Sequence, residues 1–255
     1  MTDSLAYGCA IAVMAKAPRP GQVKTRLCPT LRPDEAAQMS EAFLRDVTAN
    51  IALASRAAAV SGWVAYAPAG LEALFDGMLE PGTRLVLADG AIAPPPGVQG
   101  FGLCLLHAAQ SLLQQGASAV CLLNSDSPTL PTRLLVQAAH ALAASGDRVV
   151  LGPAEDGGYY LLGLKHAHAG LFADIAWSTG LVAEQTRARA SGLGLELVEL
   201  ATWYDVDDPA ALRRLVDGTG SAGLEPYAAP ATTALASRLG LVERVALLGS
   251  GAKET

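Results

Sequence analysis

Basic charge, aromatic bulk and cysteine are all scarce in this chain, and each scarcity closes a route. Only 16% of the 255 residues are charged and 5% aromatic, and the formal net charge is −6. That balance leaves no basic field for nucleic acid or an anionic membrane surface. Phosphate, if bound, must be met by a few placed cations and backbone N–H groups. Hydrophobic residues make up 51% of the chain and the mean hydropathy is +0.31, which argues against disorder and supplies apolar surface for one large α/β domain. The four cysteines (Cys9, Cys28, Cys104, Cys121) form no Cys-x-x-Cys pair and no zinc spacing. A disulfide framework is not expected, and a reducing cytoplasm is the natural home. The run Leu5–Ala15 lacks a positive flank before it and is too short to span a bilayer, so it reads as a buried strand rather than a signal peptide. His107, His140, His166 and His168 show no ligand spacing to a carboxylate and read as structural or solvated.

What is present is an alternation of apolar runs and amphipathic segments, the pattern of a doubly wound sheet. Strands are expected at Cys9–Ala15, Trp63–Tyr66, Leu85–Leu87, Ala119–Leu123, Val149–Leu151, Tyr159–Leu164 and Leu195–Leu200, with Tyr159–Leu164 returning across the sheet. Helices are expected from Pro33 to about Arg56, near Leu71–Met78, over Leu103–Leu113, from Pro131 to about Ala144, over Leu181–Ala190 and from Pro209 to about Val216. Residues 1–217 read as the working domain, and the Gly-, Ala- and Pro-rich residues 218–255 as an appended tail with a short helix near Thr233–Leu239.

Ligands of open α/β sheets bind outside the carboxyl ends of the strands, and four polar clusters fall at such ends. The first, Lys16 to Arg26, carries Lys16, Arg19, Lys24 and Arg26 directly after the first strand. It reads as an anion site, with a solvated loop as the alternative, and it lacks the Gly-Lys step of a P-loop. The second, Ser125-Asp126-Ser127-Pro128, places a carboxylate at a strand end, where it suits Mg²⁺ or Mn²⁺; the alternative is helix capping, for which Thr129 or Leu130 is better placed. The third, Gly152-Pro153-Ala154-Glu155-Asp156-Gly157-Gly158-Tyr159-Tyr160, lets backbone approach a ligand through its two glycines or is a simple turn between strands. In the fourth, Asp205-Val206-Asp207-Asp208-Pro209, extended alternation puts Asp205 and Asp207 on one face, while Asp208 is a good helix cap. Trp177-Ser178-Thr179 precedes a helix, as a cap or an anion site. Gly100-Phe101-Gly102 lacks the third glycine of a dinucleotide fingerprint, and no Gly-x-Ser-x-Gly elbow occurs.

Taken in order, Met14-Ala15-Lys16-Ala17-Pro18, Gly21-x-Val23-Lys24-Thr25-Arg26-Leu27, Ser125-Asp126-Ser127-Pro128-Thr129-Leu130, Gly152 to Tyr160, Trp177-Ser178-Thr179 and Asp205-Val206-Asp207 resemble one family. It is the glycosyltransferase-A-like family labelled radical-SAM/selenodomain-associated transferase, and the resemblance runs over about residues 9 to 216. The 2-phospho-L-lactate guanylyltransferases look similar in the opening loop, in the Asp after the fourth strand and in the Gly-Gly segment. The resemblance implies a Rossmann-like three-layer α/β/α nucleotide-diphospho-sugar transferase fold with a mixed, mostly parallel sheet. It further implies Lys16, Lys24 and Arg26 on a triphosphate, Asp126 and Asp207 on a metal, and Gly158, Ser178 and Thr179 facing an acceptor. One departure is Leu103-Cys104-Leu105-Leu106, where family members usually read Leu-Gly-x-Arg.

The expected site therefore comprises Lys24, Arg26 and Asp126 as catalytic residues. Lys16, Lys24, Thr25, Arg26, Gly100 and Gly102 would bind nucleotide; Asp156, Gly157, Gly158, Tyr159, Ser178 and Thr179 the acceptor; and Asp126, Asp205 and Asp207 an Mg²⁺ or Mn²⁺ ion. The leading expectation is nucleotidyl transfer from a nucleoside triphosphate to a small phosphorylated or carboxylate acceptor, by a monomer or homodimer. Such chemistry rests on positioning and charge neutralisation. The alternatives are a glycosyltransferase using a nucleotide sugar, against which the single carboxylate of Ser125-Asp126-Ser127 counts, and a non-catalytic nucleotide-binding domain, which Leu106 keeps in view.

Overall fold

Strand residues of this chain alternate between two apolar layers, so the sheet must be covered on both sides. Cys9, Ile11, Val13 and Ala15 enter one buried cluster, while Ala10 and Ala12 enter the other. That is the period-two pleat with both faces dry, as a mostly parallel sheet requires. The computed structural model describes residues 8–28, 30–218 and 223–250, with side chains as far as Val245. Part of the run Leu5–Ala15, Pro29 at the end of the first loop, and 219–222 and 251–255 of the expected tail lie outside the described residues.

Seven strands form one sheet: β1 (Cys9–Lys16), β2 (Val60–Ala67), β3 (Arg84–Leu87), β4 (Ala119–Asn124), β5 (Arg148–Pro153), β6 (Tyr159–Leu164) and β7 (Glu196–Glu199). Their order is β3-β2-β1-β4-β6-β5-β7. β6 runs antiparallel to both neighbours, β4 and β5, while the β1–β2, β1–β4, β2–β3 and β5–β7 pairs are parallel. The helices are α1 (Pro33–Ala54), α2 (Phe101–Gln114), α3 (Thr132–Ala143), α4 (Val182–Gly192), α5 (Pro209–Val216), α6 (Pro230–Arg238) and α7 (Leu241–Ser250). Residues of α1, α3, α5, α6 and α7 share a cluster with one sheet face, and residues of α2 and α4 share one with the other. This is the expected mixed α/β/α architecture. No helix among the described residues is long and apolar enough to cross a membrane.

Three local expectations change. The segment around Leu71–Met78 holds only a 3-10 turn, Glu72–Phe75. Neither Thr129 nor Leu130 caps α3; its N-cap position is Pro131, without a side-chain cap, and Thr129 Oγ1 instead donates to the Tyr204 hydroxyl at 3.0 Å. Among the described residues beyond 217 there are two helices rather than one. They are tied to α1 by polar groups that local sequence does not pair. The buried Asp46 carboxylate accepts from the N–H groups of Ala231 (2.9 Å) and Thr232 (2.7 Å) at the start of α6, satisfying donors a helix N-terminus leaves open. Arg244 of α7 donates to Glu35 Oε2 at 2.9 Å.

Candidate active site

The strand order reverses direction beside β1: β2 lies on one side of it and β4 on the other. Crevices form at such a switch point, outside the carboxyl ends of the strands. A cavity of about 340 Å³ opens there, within the size range of small-ligand pockets. Its floor is built from Ala15 of β1, Ala65 and Ala67 of β2, and Ala88 after β3; small side chains at successive strand ends leave the hollow. Lys16, Lys24, Thr25 and Arg26 line one side, Ser125, Asp126 and Asp207 another, and Phe101 and Cys104 of α2 a third.

The two acidic residues reach the cavity by different routes. Asp126 lies two residues past the end of β4, with Ser125 Oγ donating to its Oδ1 at 2.7 Å. Asp207 arrives on a strap, residues 200–207, that crosses the strand ends from β7 towards β1. Trp203 N–H donates to Pro153 O (3.2 Å), Glu155 N–H to Trp203 O (3.0 Å) and Val206 N–H to Asp126 O (2.8 Å). Ser127 Oγ adds a bond to Tyr204 O at 3.0 Å. Trp203, fully buried, anchors the strap in the core. The strap ends as expected, with Asp208 accepting from Ala211 N–H at 2.8 Å to cap α5.

Lys24 lies between the two carboxylates. Its Nζ is 2.7 Å from Asp126 Oδ1 and 2.7 Å from Asp207 Oδ1, and it also donates to Val206 O at 2.9 Å. The backbone at Lys24 is left-handed (φ 50°, ψ 33°), a conformation costing a non-glycine residue on the order of 1 kcal/mol. That turn points the side chain inward, where it is only 6% exposed. Burial disfavours its charge, but Asp126 and Asp207 outweigh this and raise the ammonium above its ordinary value. Burial likewise pushes Asp207 up, yet the charge and hydrogen bond of Lys24, with the charge of Arg26, hold its carboxyl below the usual range. Arg26 stays 72% exposed, 3.7 Å from Asp207, and Lys16 is exposed at the end of β1. Of the three cations expected on phosphate, two face the opening and the third is engaged with carboxylates.

Asp205 does not line the cavity. Burial, with the negative charges of Asp156, Asp207 and Asp126, pushes its carboxyl up to about 6. The native state therefore keeps a proton between about pH 4 and pH 6 that the unfolded chain has lost. This contribution to stability is complete below about pH 4, declines as pH rises to about 6 and is absent above it. Asp205→Asn is expected to stabilise the protein at pH 7.5 and to leave it unchanged near pH 4. Urea unfolding at the two pH values checks this, and an equal increment at both would contradict it.

The expected acceptor residues gather beside the strap but outside the cavity. Gly157 (φ +87°) lies against Gly180, so close that a Cβ would stand 2.1 Å from the Gly180 carbonyl oxygen, and its own carbonyl accepts from Ala183 N–H at 2.9 Å. This joins the Asp156–Gly158 loop to Ser178 and Thr179 ahead of α4. Gly158 N–H donates to Asp156 Oδ1 at 2.8 Å. Thr179 Oγ1 donates to Ala176 O at 2.7 Å and accepts from Leu181 N–H at 3.3 Å. The Tyr159 hydroxyl is buried without a hydrogen-bond partner among the described residues. Gly100 starts α2 (φ 56°) and Gly102 packs under the Trp177 ring, so neither lines the cavity, although Phe101 and Cys104 of the same turn do. Leu106 is fully buried in the apolar layer, where an arginine would lack solvent. Cys104 was missed by cysteine spacing; its position one helical turn after Gly100 is the signal that could have found it. Burial and Asp89 raise its thiol, against the charge of Lys16.

One solved structure shares this architecture closely. The crystal structure of a protein from Desulfovibrio desulfuricans G20, provisionally named a nucleotide-diphospho-sugar transferase, superposes with a TM-score of 0.76 at 27% identity, over 93% of this chain and 97% of that one. A CMP:2-keto-3-deoxy-manno-octonic acid synthetase complexed with CTP gives a TM-score of 0.48 at 14% identity, over 82% of this chain and 96% of the other. A cytidylyltransferase from Leptospira borgpetersenii serovar Hardjo-bovis gives 0.48 at 10% identity, over 92% and 96%. The last two are distant likenesses. No curated protein matches the chain. A family model does, over residues 50–179, half of the chain: the protein belongs to the family described as "Uncharacterized protein conserved in bacteria (DUF2064)".

Proposed function

We propose that this protein is a metal-dependent nucleotidyltransferase that joins the nucleoside monophosphate of a triphosphate to a small phosphorylated or carboxylate acceptor. The observation that carries this reading is one cavity at the switch point of the sheet, with exposed cations on one wall and two convergent carboxylates on another. An oxygen of the acceptor attacks the α-phosphorus, the bond to the β-phosphate oxygen breaks, and pyrophosphate leaves. Lys16 and Arg26 face the opening and neutralise phosphate charge, Arg26 as a planar fork. Thr25 adds a hydroxyl on the same wall. Phe101, 47% exposed at the mouth, offers a ring face for a base.

Asp126 and Asp207 already hold a cation between them, the ammonium of Lys24. Hard oxygen ligands in that arrangement suit Mg²⁺ or Mn²⁺, which when bound there would supply charge neutralisation for phosphate oxygens. In this reading Lys24 yields its place between the carboxylates and turns to phosphate when metal and nucleotide arrive. Asp205, two residues before Asp207, stays outside the cavity, and the Asp156–Tyr159 loop with Ser178 and Thr179 forms the acceptor side. Helix α6 packs on α1, and no described residue after 217 lines the cavity.

Glycosyl transfer from a nucleotide sugar is the second reading, supported by the name given to the Desulfovibrio protein. Thermal unfolding with a panel of nucleoside triphosphates and nucleotide sugars, with and without Mn²⁺, tests both. Ligand at about 100 times its Kd adds roughly 2.7 kcal/mol. Stabilisation by one triphosphate only with Mn²⁺ is the expected result. Stabilisation by a nucleotide sugar alone would replace nucleotidyl with glycosyl transfer, and no response across the panel would leave the non-catalytic reading.

A further inference from the structure

The antiparallel strand β6 creates a second polar cluster at the opposite end of the sheet. Val149 of β5 pairs with Leu164 of β6, so the same register continued two residues outward sets Asp147 across from His166. A tight turn then folds His168 back, its N–H donating to His166 O at 2.9 Å. Lys165 clamps the facing loop by donating to Ala144 O (2.7 Å) and Gly146 O (2.9 Å). The result places His166 Nδ1 3.1 Å from Asp147 Oδ1 and His168 Nε2 2.6 Å from Asp147 Oδ2.

We propose that Asp147, His166 and His168 form a binding site for a divalent ion of the Zn²⁺ type, separate from the nucleotide cavity. One ligand atom from each residue lies within 4.8 Å of the other two, a convergence no other trio of His, Cys, Asp or Glu reaches among the described residues. Two imidazole nitrogens and one carboxylate oxygen are a donor set that Zn²⁺ takes, leaving a fourth position for water; hard Mg²⁺ prefers oxygen alone. A tetrahedral site with bonds of about 2.05 Å sets neighbouring donors roughly 3.3 Å apart. His166 Nδ1 lies 3.1 Å from Asp147 Oδ1, near that spacing, while His168 Nε2 sits 2.6 Å from the other oxygen, Oδ2, so a small turn of the carboxylate or the ring brings all three donors onto one ion. A second observation points the same way. Asp147 Oδ1 is buried and accepts no hydrogen bond among the described residues, although His166 Nδ1 is beside it. His166 is 66% exposed, which opens the site to solvent. A bound ion would cross-link the loop before β5 to the turn after β6, and so stiffen the end of the sheet remote from the cavity.

The test uses the full-length, untagged protein, stripped of metal with a chelator and titrated with Zn²⁺ against a chromophoric competitor. One equivalent is expected to bind. His166→Ala and His168→Gln should each weaken it by at least the roughly 10–100-fold that loss of a ligand's outer hydrogen-bond partner costs. Co²⁺ should give visible absorption of four-coordinate type that both variants lose and Asp126→Asn keeps. That last comparison separates this site from any metal in the nucleotide cavity. Absence of the equivalent, or its survival in both histidine variants, would overturn the proposal. Should His168→Gln fail to fold, the exposed His166→Ala carries the test alone.

Discussion

Lys24→Met should lower stability at pH 7 by about 2–3 kcal/mol. Breaking a fully buried ion pair by deleting one partner costs roughly 3–5 kcal/mol, because the other charge is left uncompensated. Here Asp126 and Asp207 keep 28% and 35% of their side-chain surface, so water screens part of the repulsion. The penalty depends on both carboxylates being ionised, which gives it a pH signature. In the wild type Lys24 holds the Asp207 carboxyl below the usual range, so the stability the variant forfeits is fully present above about pH 4 and is lost as pH falls below that through the lowered folded value of Asp207. The same deletion leaves room for another cation. Mn²⁺ should therefore restore stability to Lys24→Met while affecting the nucleotide-free wild type little. Urea unfolding at pH 7 and at about pH 2–3, below the ordinary Asp value, with and without Mn²⁺, reads all of this. A variant as stable as the wild type at pH 7 and indifferent to Mn²⁺ would mean that Lys24 does not act as the cation between these carboxylates.

Trp203→Ala should cost about 3–5 kcal/mol, the range for deleting a large buried aromatic. Trp203 is fully buried among residues of the α1/α3 layer, and its backbone bonds to Pro153 and Glu155 on both sides. The consequence reaches the cavity, because the strap that Trp203 anchors also carries Asp205 and Asp207. A loss of nucleotide affinity beyond that of an equally destabilised core variant is expected. Leu135→Ala, at a fully buried position of α3, is the control. Equal affinities in the two variants at a temperature where both are folded would sever the link between strap and cavity.

Much of this fold was readable because its sheet is dry on both faces. Runs such as Ala119–Leu123 have no polar side to confuse with a solvated strand, and breakers such as Pro94-Pro95-Pro96-Gly97 separate them. The antiparallel return of Tyr159–Leu164 followed from its Asp-Gly-Gly turn. What could not be read were contacts made across the fold. Lys24 and Asp207 are 183 positions apart, and the inward turn of Lys24 depends on a left-handed backbone at a residue with no local preference for it. Cations in a loop look alike from sequence, whether they face phosphate or a carboxylate. Spacing likewise hid the nearness of Asp147 to His166 and His168, which arises only from the β5–β6 register. The helices after residue 217 were underestimated because their Ala- and Gly-rich stretch resembles a linker, and the Asp46 carboxylate that receives α6 lies in the middle of α1.

Equilibrium binding of the triphosphate selected by thermal stabilisation, measured against Mg²⁺ concentration for the wild type and for Asp126→Asn, tests the central claim most directly. The expected result is affinity that rises with Mg²⁺ in the wild type, with a loss of about tenfold or more and no Mg²⁺ dependence in Asp126→Asn, as removal of one charged oxygen ligand implies. Equal affinity and equal Mg²⁺ dependence in the two proteins would contradict the assignment of Asp126 to a metal-nucleotide site.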